Sequence, residues 1–396
     1  MSEGVLSLGG VKILHTSDWH VGRTFHQHST AQALAEVLDA LVAAVEAHDV
    51  DVVVVAGDVF DSSMPSAHSV QELDRILVAL SRTGATVVVT SGNHDSPARL
   101  GSRSVFTAEV GVHVLTRPER LADPVVIEDE HGPVHVYGIP FLEPTLVRHL
   151  WPERKLRTQA DVMGAALEQI RDDVAERAAR RTVVVAHTFV SGADGESCES
   201  ERGITSGGVD RVPVPSFDGF TYVALGHIHG RSTLAPAVRY SGAPLHLSFS
   251  EQDKPRGAWL VELGPEGMVG AEWMELPVPR ALVTLEGTLE ELLSDPAHAQ
   301  HEGAWVRARL TDLDRPVDPM RRLQKRFPGC AILEFAPSVI REVPARLDRE
   351  RFSRLSDEEV VAEFLTHVRQ GEAPSDSERD LVHEVLGEIR AQEATR

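Results

Sequence analysis

The sequence predicts an α/β protein with a small α/β cap and a helical tail, on three observations. Between Val11 and Leu263 short β-branched runs alternate with longer amphipathic stretches, the pattern of strands and covering helices. The Pro-punctuated LPVPR at 276–280 then marks a boundary, beyond which a shorter alternation of strands and helices follows. From about Glu342 two amphipathic helical patterns close the sequence, separated by GEAPSD. These features divide the chain into residues 1–278, 279–340 and 341–396, since single cores usually stop growing before about 300 residues.

The predicted strands are Lys12 to Thr16, Val50 to Ala56, Thr86 to Thr90, Thr182 to Ala186 and Thr221 to Leu225. Each is an apolar run bounded by polar turns, as expected of strands buried on both faces. Helical patterns fall at Ala31 to Ala47 and Ser69 to Leu80, and the polar, Gly- and Ser-rich stretch Ser191 to Gly208 reads as a long exposed loop. Val238 to Ser241, Ala258 to Leu263 and Ala271 to Leu276 read as antiparallel strands closing a second sheet. In the cap, strands near Leu282 to Leu285, Ala304 to Leu310 and Ala331 to Phe335 enclose helices near Leu289 to Leu293 and Pro319 to Phe327. The tail helices are expected at Asp357 to Arg369 and Ser377 to Ala391.

Composition narrows the function classes. Hydrophobic residues at 42% and charged residues at 25% are those of a soluble globular protein. No apolar run reaches the roughly 20 residues that span a bilayer, and no export signal precedes the first strand, so a cytoplasmic protein without a membrane partner is expected. Cys198 and Cys330 lack any metal-knuckle spacing and read as free thiols. A net charge of −21 argues against holding DNA by bulk electrostatics, so any grip on DNA must be local.

Immediately after each of the five strands stands a cluster of metal-ligand residues: Asp18 and His20 in SDWH, Asp58 in GDVFD, Asn93 in GNHD, His187, and His227 with His229 in GHIH. Taken singly, each motif is ordinary turn chemistry. Together they are specific, because the carboxyl ends of strands in an α/β sheet face a common crevice. Two Asp, one Asn and four His exceed what one ion needs and suit two ions sharing a carboxylate. Oxygen and imidazole donors without thiolate favour Mn²⁺, Fe²⁺ or Zn²⁺ in an open catalytic site. His94, one residue past Asn93, is placed to act as a general acid, and Asp95 is expected to orient its ring. His15 reads as a satisfied core histidine or a support for the ligands rather than as an eighth ligand, and His26 and His28 are expected on a rim helix. Arg23 and Arg99 flank the first and third motifs and are candidates for phosphate contacts.

SDWH, GDVFD, GNHD, the lone His187 and GHIH resemble the signature of the calcineurin-like metallophosphoesterase superfamily. ILHTSDWHVGR, VAGDVFDSSMPS, SGNHDSP, ALGHIHG and YSGAPLHLSFSE resemble more narrowly its members that process bacterial DNA double-strand breaks, over roughly residues 11 to 340. The resemblance implies two stacked sheets flanked by helices, a four-layer sandwich. It implies that Asp18, His20 and His229 hold one ion, that Asn93, His187 and His227 hold the other, and that Asp58 bridges them. It implies that His94 stabilises the transition state or protonates the departing oxygen. Archaeal members have His in the place of Asp61, which is therefore read here as a support for the ligands. The implied activity is a metal-dependent nuclease acting on duplex ends and hairpins, with a coiled-coil ATPase as partner and a homodimer within a heterotetramer as the assembly.

Two regions outside the catalytic half bear on that reading. Arg315, Arg321, Arg322, Lys325 and Arg326 gather around one short cap helix and are candidates for DNA backbone contact, Arg321 and Arg322 above all. The tail helices carry apolar stripes, Val360, Val361, Phe364, Leu365 and Val368 in one and Leu381, Val382, Val385, Leu386 and Ile389 in the other. Val361, Phe364, Leu365, Leu381 and Val385 are the expected anchors for the ATPase. The competing readings are a small-molecule phosphodiesterase or phosphatase of the same superfamily, and a scaffold with a vestigial metal site.

Overall fold

The computed structural model describes residues 10–191, 211–337, 355–369 and 372–393, so Cys198 and the expected loop from 192 onward lie outside the described residues. The chain divides into two compact units, Met1–Val283 and Thr284–Arg396.

In the first unit β1 (Val11–Thr16), β2 (Val52–Ala56), β3 (Thr86–Thr90) and β4 (Val112–Leu115) run parallel in one sheet. The second sheet takes β5 (Val125–Asp129), β6 (Gly132–Ile139), β7 (Arg181–His187), β8 (Tyr222–Gly226), β9 (Ser232–Ala235) and β10 (Val238–Tyr240), in the order β9-β10-β8-β7-β6-β5. The chain then returns to the first sheet with β11 (Gly257–Gly264), antiparallel to β1, and β12 (Gly267–Glu275) outside it. Helices α1 (Ala31–Ala47) and α2 (Ala67–Arg82) share a core with the outer face of the first sheet, through Leu34, Leu41, Leu73 and Ile76 packed with Leu14, Val53, Val55 and Val87. Helix α3 (Gln159–Glu176) does the same for the second sheet, through Val162, Ala166 and Ile170 with Tyr137, Val184 and Val223.

The strands read as unbroken apolar runs because both of their faces are covered. Val52, Val54 and Ala56 point into the layer between the sheets, with Ile13, Val185 and Ala224, while Val53 and Val55 point to the helices. His15 lies in that inner layer, fully buried, its Nδ1 2.9 Å from Tyr222 Oη and its Nε2 3.1 Å from the Leu225 carbonyl. Burial holds it down to about 3, so the ring is a neutral link between the two sheets.

Two expectations are corrected. Ala258 to Leu263 and Ala271 to Leu276 join the first sheet, where Val11 faces Leu263 and Ile13 faces Val261; alternation identifies a strand but not the edge that accepts it. His26 and His28 lie on a tight hairpin, with His26 and Gln27 at positive φ, and not on a helix.

In the second unit β13 (Leu282–Gly287), α4 (Leu289–Ser294), β14 (Trp305–Leu310), α5 (Pro319–Arg326) and β15 (Cys330–Phe335) form a three-stranded sheet in sequence order with two helices. The tail helices are α6 (Asp357–Val368) and α7 (Asp376–Glu393). No helix among the described residues is long and apolar enough to cross a membrane.

Candidate metal centre

All five motifs stand at carboxyl ends of strands, those of Asp18, Asp58 and Asn93 in the first sheet and those of His187 and His227 in the second. The loops that carry them are strained in a way that sequence motifs do not reveal. Asp18, His20, Asp58 and His227 all have positive φ, a conformation that non-glycine residues adopt mainly where the surroundings force it. The glycines of the motifs have a packing reason. A Cβ on Gly92 would collide with the Asp58 carboxylate, and one on Gly226 with the Ala56 carbonyl, so these residues let strand-end loops interleave.

The side chains meet in two groups. His20 Nε2 lies 3.2 Å from His229 Nε2, and Asp18 belongs to the same cluster. Asn93 Oδ1 lies 3.0 Å from His187 Nε2 and 3.2 Å from His227 Nδ1. Asp58 Oδ2 sits between the groups, 3.6 Å from His20 Nε2 and 3.5 Å from His187 Nε2. Among these seven only Asn93 is more than marginally exposed.

The tautomers decide what the pocket fits. His187 Nδ1 is 2.9 Å from the Ala56 carbonyl and donates to it, so its Nε2 lone pair confronts the oxygen of Asn93, acceptor against acceptor. His20 Nδ1 lies 3.3 Å from Asp61 Oδ1 and His229 Nδ1 3.7 Å from Glu251 Oε1; with each ring's proton on the nitrogen that faces a carboxylate, the two Nε2 lone pairs stand against each other. A cation in each group turns both repulsive contacts into ligation. The residues present therefore fit two metal ions.

The electrostatics agree. Burial pushes Asp18 up to about 6, opposed by His187 and His229, while its carboxylate accepts from Ser17 Oγ at 2.5 Å and from the His227 backbone N–H at 3.1 Å. Burial would also raise Asp58, but His187, His20 and His94 hold it well below the usual carboxylate range. Burial lowers His20 to about 4 and His227 to about 3, so both rings are neutral donors.

His94 is buried beside this cluster, its ring edge-on to His20 at 4.8 Å and its Nε2 4.0 Å from Asp58 Oδ2. Its Nδ1 is 2.9 Å from the backbone carbonyl of Asp61. Here the expectation for Asp95 is corrected. Its carboxylate accepts from Val59, Phe60 and Gly92 backbone N–H groups at 3.1, 2.8 and 2.8 Å, so it ties the Asp58 loop to the Asn93 loop, and the Asp61 carbonyl orients the imidazole instead. Replacing Asp95 by Ala strands three backbone donors, each costing about 1–3 kcal/mol when buried and unpaired. Urea denaturation is expected to show a loss of about 3 kcal/mol or more; a loss below about 1 kcal/mol contradicts the brace.

Asp61 reaches three neighbours: its carboxylate faces His20 and accepts from Arg23 Nη1 at 2.8 Å, and its carbonyl takes His94. Arg23 is thus engaged with Asp61 and not simply presented to solvent, whereas Arg99 is exposed on the short helix Pro97–Leu100. Sequence reasoning gave no role to Glu251, the last residue of YSGAPLHLSFSE, or to Arg256; the two form a fully buried ion pair at 2.9 Å behind His229.

In the second unit Arg321 and Arg322 are exposed on α5, with Arg322 Nη2 3.8 Å from Glu290. The basic cluster is smaller than expected. Arg326 binds Glu302 and the carbonyls of Leu292 and Asp295, and Arg315 stacks over Phe335 at 4.7 Å. Helices α6 and α7 are joined by ion pairs of Arg369 with Glu378 at 2.7 Å and Arg390 with Asp357 at 3.0 Å. Val361 and Leu365 are half-buried, while Phe364, Leu381 and Val385 are exposed.

Residues 11–231 match the profile of the calcineurin-like phosphoesterases, and residues 278–369 match that of the type 5 capsule protein repressor C-terminal domain. The chain is 27% identical over 365 residues to the SbcD component of the nuclease SbcCD from Staphylococcus saprophyticus, a match that covers 90% of this chain and 93% of that protein. It is 24% identical over 381 residues to the same component from Staphylococcus epidermidis, covering 95% and 99%.

Proposed function

The chain belongs to the calcineurin-like phosphoesterases, and from that premise we propose that it is the metal-dependent nuclease subunit of a two-part DNA-processing complex, hydrolysing phosphodiesters at duplex ends and hairpins. The observation that carries the reading is the Asp58 carboxylate set between two groups of nitrogen and oxygen donors. Asp18, His20 and His229 hold one ion, Asn93, His187 and His227 the other, and Asp58 both; Mn²⁺ suits this donor set. Two such ions supply activated water and neutralise charge on the phosphodiester. His94, oriented by the Asp61 carbonyl, delivers a proton to the departing oxygen, and Asp61 also steadies His20. Arg99, Arg321 and Arg322 are the side chains offered to DNA backbone, and Arg23 reaches it only in exchange for Asp61.

The partner is an SbcC-like coiled-coil ATPase, taken up by the tail in a homodimer-containing heterotetramer. Support comes from the near full-length match to two nuclease components and from the exposed apolar side chains Phe364, Leu381 and Val385. The test is cleavage of end-labelled duplex and hairpin DNA with Mn²⁺, by the full chain and by a chain truncated before Leu355, each with and without the ATPase. The full chain is expected to cut DNA and to be stimulated by the ATPase and ATP. The truncated chain is expected to hydrolyse bis-p-nitrophenyl phosphate normally, but to lose ATPase co-purification and stimulation. Hydrolysis of the small diester with no attack on DNA would favour a small-molecule enzyme.

A further inference from the structure

At the Nδ1 edge of the His229 ring, opposite the Nε2 that faces His20, lies the Glu251–Arg256 pair. Glu251 closes the turn Phe249–Glu251, and Arg256 stands just before β11. Both side chains are fully buried, and an ion pair taken out of water carries a desolvation penalty that its own attraction seldom recovers. Such a pair persists where its remaining hydrogen bonds do something further. Arg256 Nη1 donates to the His229 carbonyl at 2.5 Å and to the Ala243 carbonyl at 3.1 Å, and its Nη2 meets Glu251 Oε2 at 2.9 Å. Glu251 Oε2 also accepts from the Leu247 backbone N–H at 3.0 Å. A mere staple of the loop would use Oε2 alone. Oε1 is turned instead toward His229 Nδ1, 3.7 Å away.

We infer that Glu251, held in place by Arg256, is a positioning residue for His229: it keeps the ring protonated at Nδ1 and aims Nε2 at the cluster, while Arg256 fixes the backbone from which the ring hangs. The inference rests on reading His229 as a metal ligand. A carboxylate behind a ligating histidine raises the basicity of the ring and fixes its orientation, and its loss typically costs 10–100-fold in metal affinity. In Glu251→Gln the single amide oxygen is claimed by Arg256 and Leu247, which leaves the NH₂ facing Nδ1. Two donors then oppose each other and the ring is driven toward the wrong tautomer.

The test is Mn²⁺ titration of the full-length protein followed by electron paramagnetic resonance, for the wild type, Glu251→Gln, His229→Ala and the double variant. The wild type is expected to bind two Mn²⁺ as a coupled pair. Glu251→Gln is expected to weaken one of the two by about 10–100-fold and to leave the other unchanged, and in the His229→Ala background it should add nothing. Wild-type affinity at both ions in Glu251→Gln, or a further equal loss when it is added to His229→Ala, overturns the inference, since a structural effect would act whether or not the ring is present. A wild type that binds no Mn²⁺ pair strikes down the metal-centre reading and this inference with it. Should Glu251→Gln not fold, Glu251→Asp keeps the pair with Arg256 and withdraws the carboxylate by one methylene; a smaller loss at the same single ion supports the inference and an unchanged affinity overturns it.

Discussion

Asp58→Asn is expected to reduce phosphodiester hydrolysis by at least about 10³-fold and to bring bound metal below two ions per chain. Several kcal/mol of charge stabilisation come from a two-ion site, and each 1.36 kcal/mol is a factor of ten in rate. The carboxylate oxygen at stake is Oδ2, which faces His20 on one side and His187 on the other. The neutral amide of Asn cannot balance two cations from one position. It can still accept from the His94 backbone N–H as Asp58 Oδ1 does at 2.9 Å, so the loop and the fold should survive. Metal analysis of the purified variant and its thermal unfolding separate the two effects. A variant that keeps two ions and wild-type turnover would falsify the shared-carboxylate assignment.

The site was legible in sequence because the chemistry stands where the fold is most regular. Strands β1, β2, β3, β7 and β8 are buried on both faces, so their ends are marked by a change to polar residues, and Asp18, Asp58, Asn93, His187 and His227 stand at those ends or within three residues of them. The positions of β4, β5, β6 and α3 were not read off: β5 and the start of β6 alternate weakly, with half-exposed and exposed residues, and α3 has a diffuse apolar face that includes several alanines. The supports of the site were harder still. Asp95 stands beside His94 in sequence, yet its oxygens turn away to three backbone N–H groups, because the Asn93 loop doubles back on the Asp58 loop. Glu251 is distant in sequence from the histidine it faces, and no local pattern links them. Arg326 belongs to a basic run but spends its guanidinium on two carbonyls and Glu302, a use that only the packing of α4 against α5 reveals.

His94→Gln is expected to keep both metal ions and to lose about 10²–10⁴ in turnover on DNA, the worth of a positioned general acid. The size of the loss should depend on the leaving group. A DNA sugar oxygen departs poorly without a proton, whereas p-nitrophenolate leaves well unaided, so bis-p-nitrophenyl phosphate should report a far smaller loss. Geometry makes the variant informative. The His94 ring is fixed by the Asp61 carbonyl at Nδ1 and by its edge-on contact with His20, and its Nε2 is the atom nearest the cluster. Gln can donate from its amide to the same carbonyl, so Asp61 and through it His20 should stay in place, but the amide has no proton to give up near neutral pH. Equal losses on both substrates would mean that His94 acts by electrostatic stabilisation of the phosphoryl charge, and an unchanged rate on DNA would leave it as a packing residue of the loop.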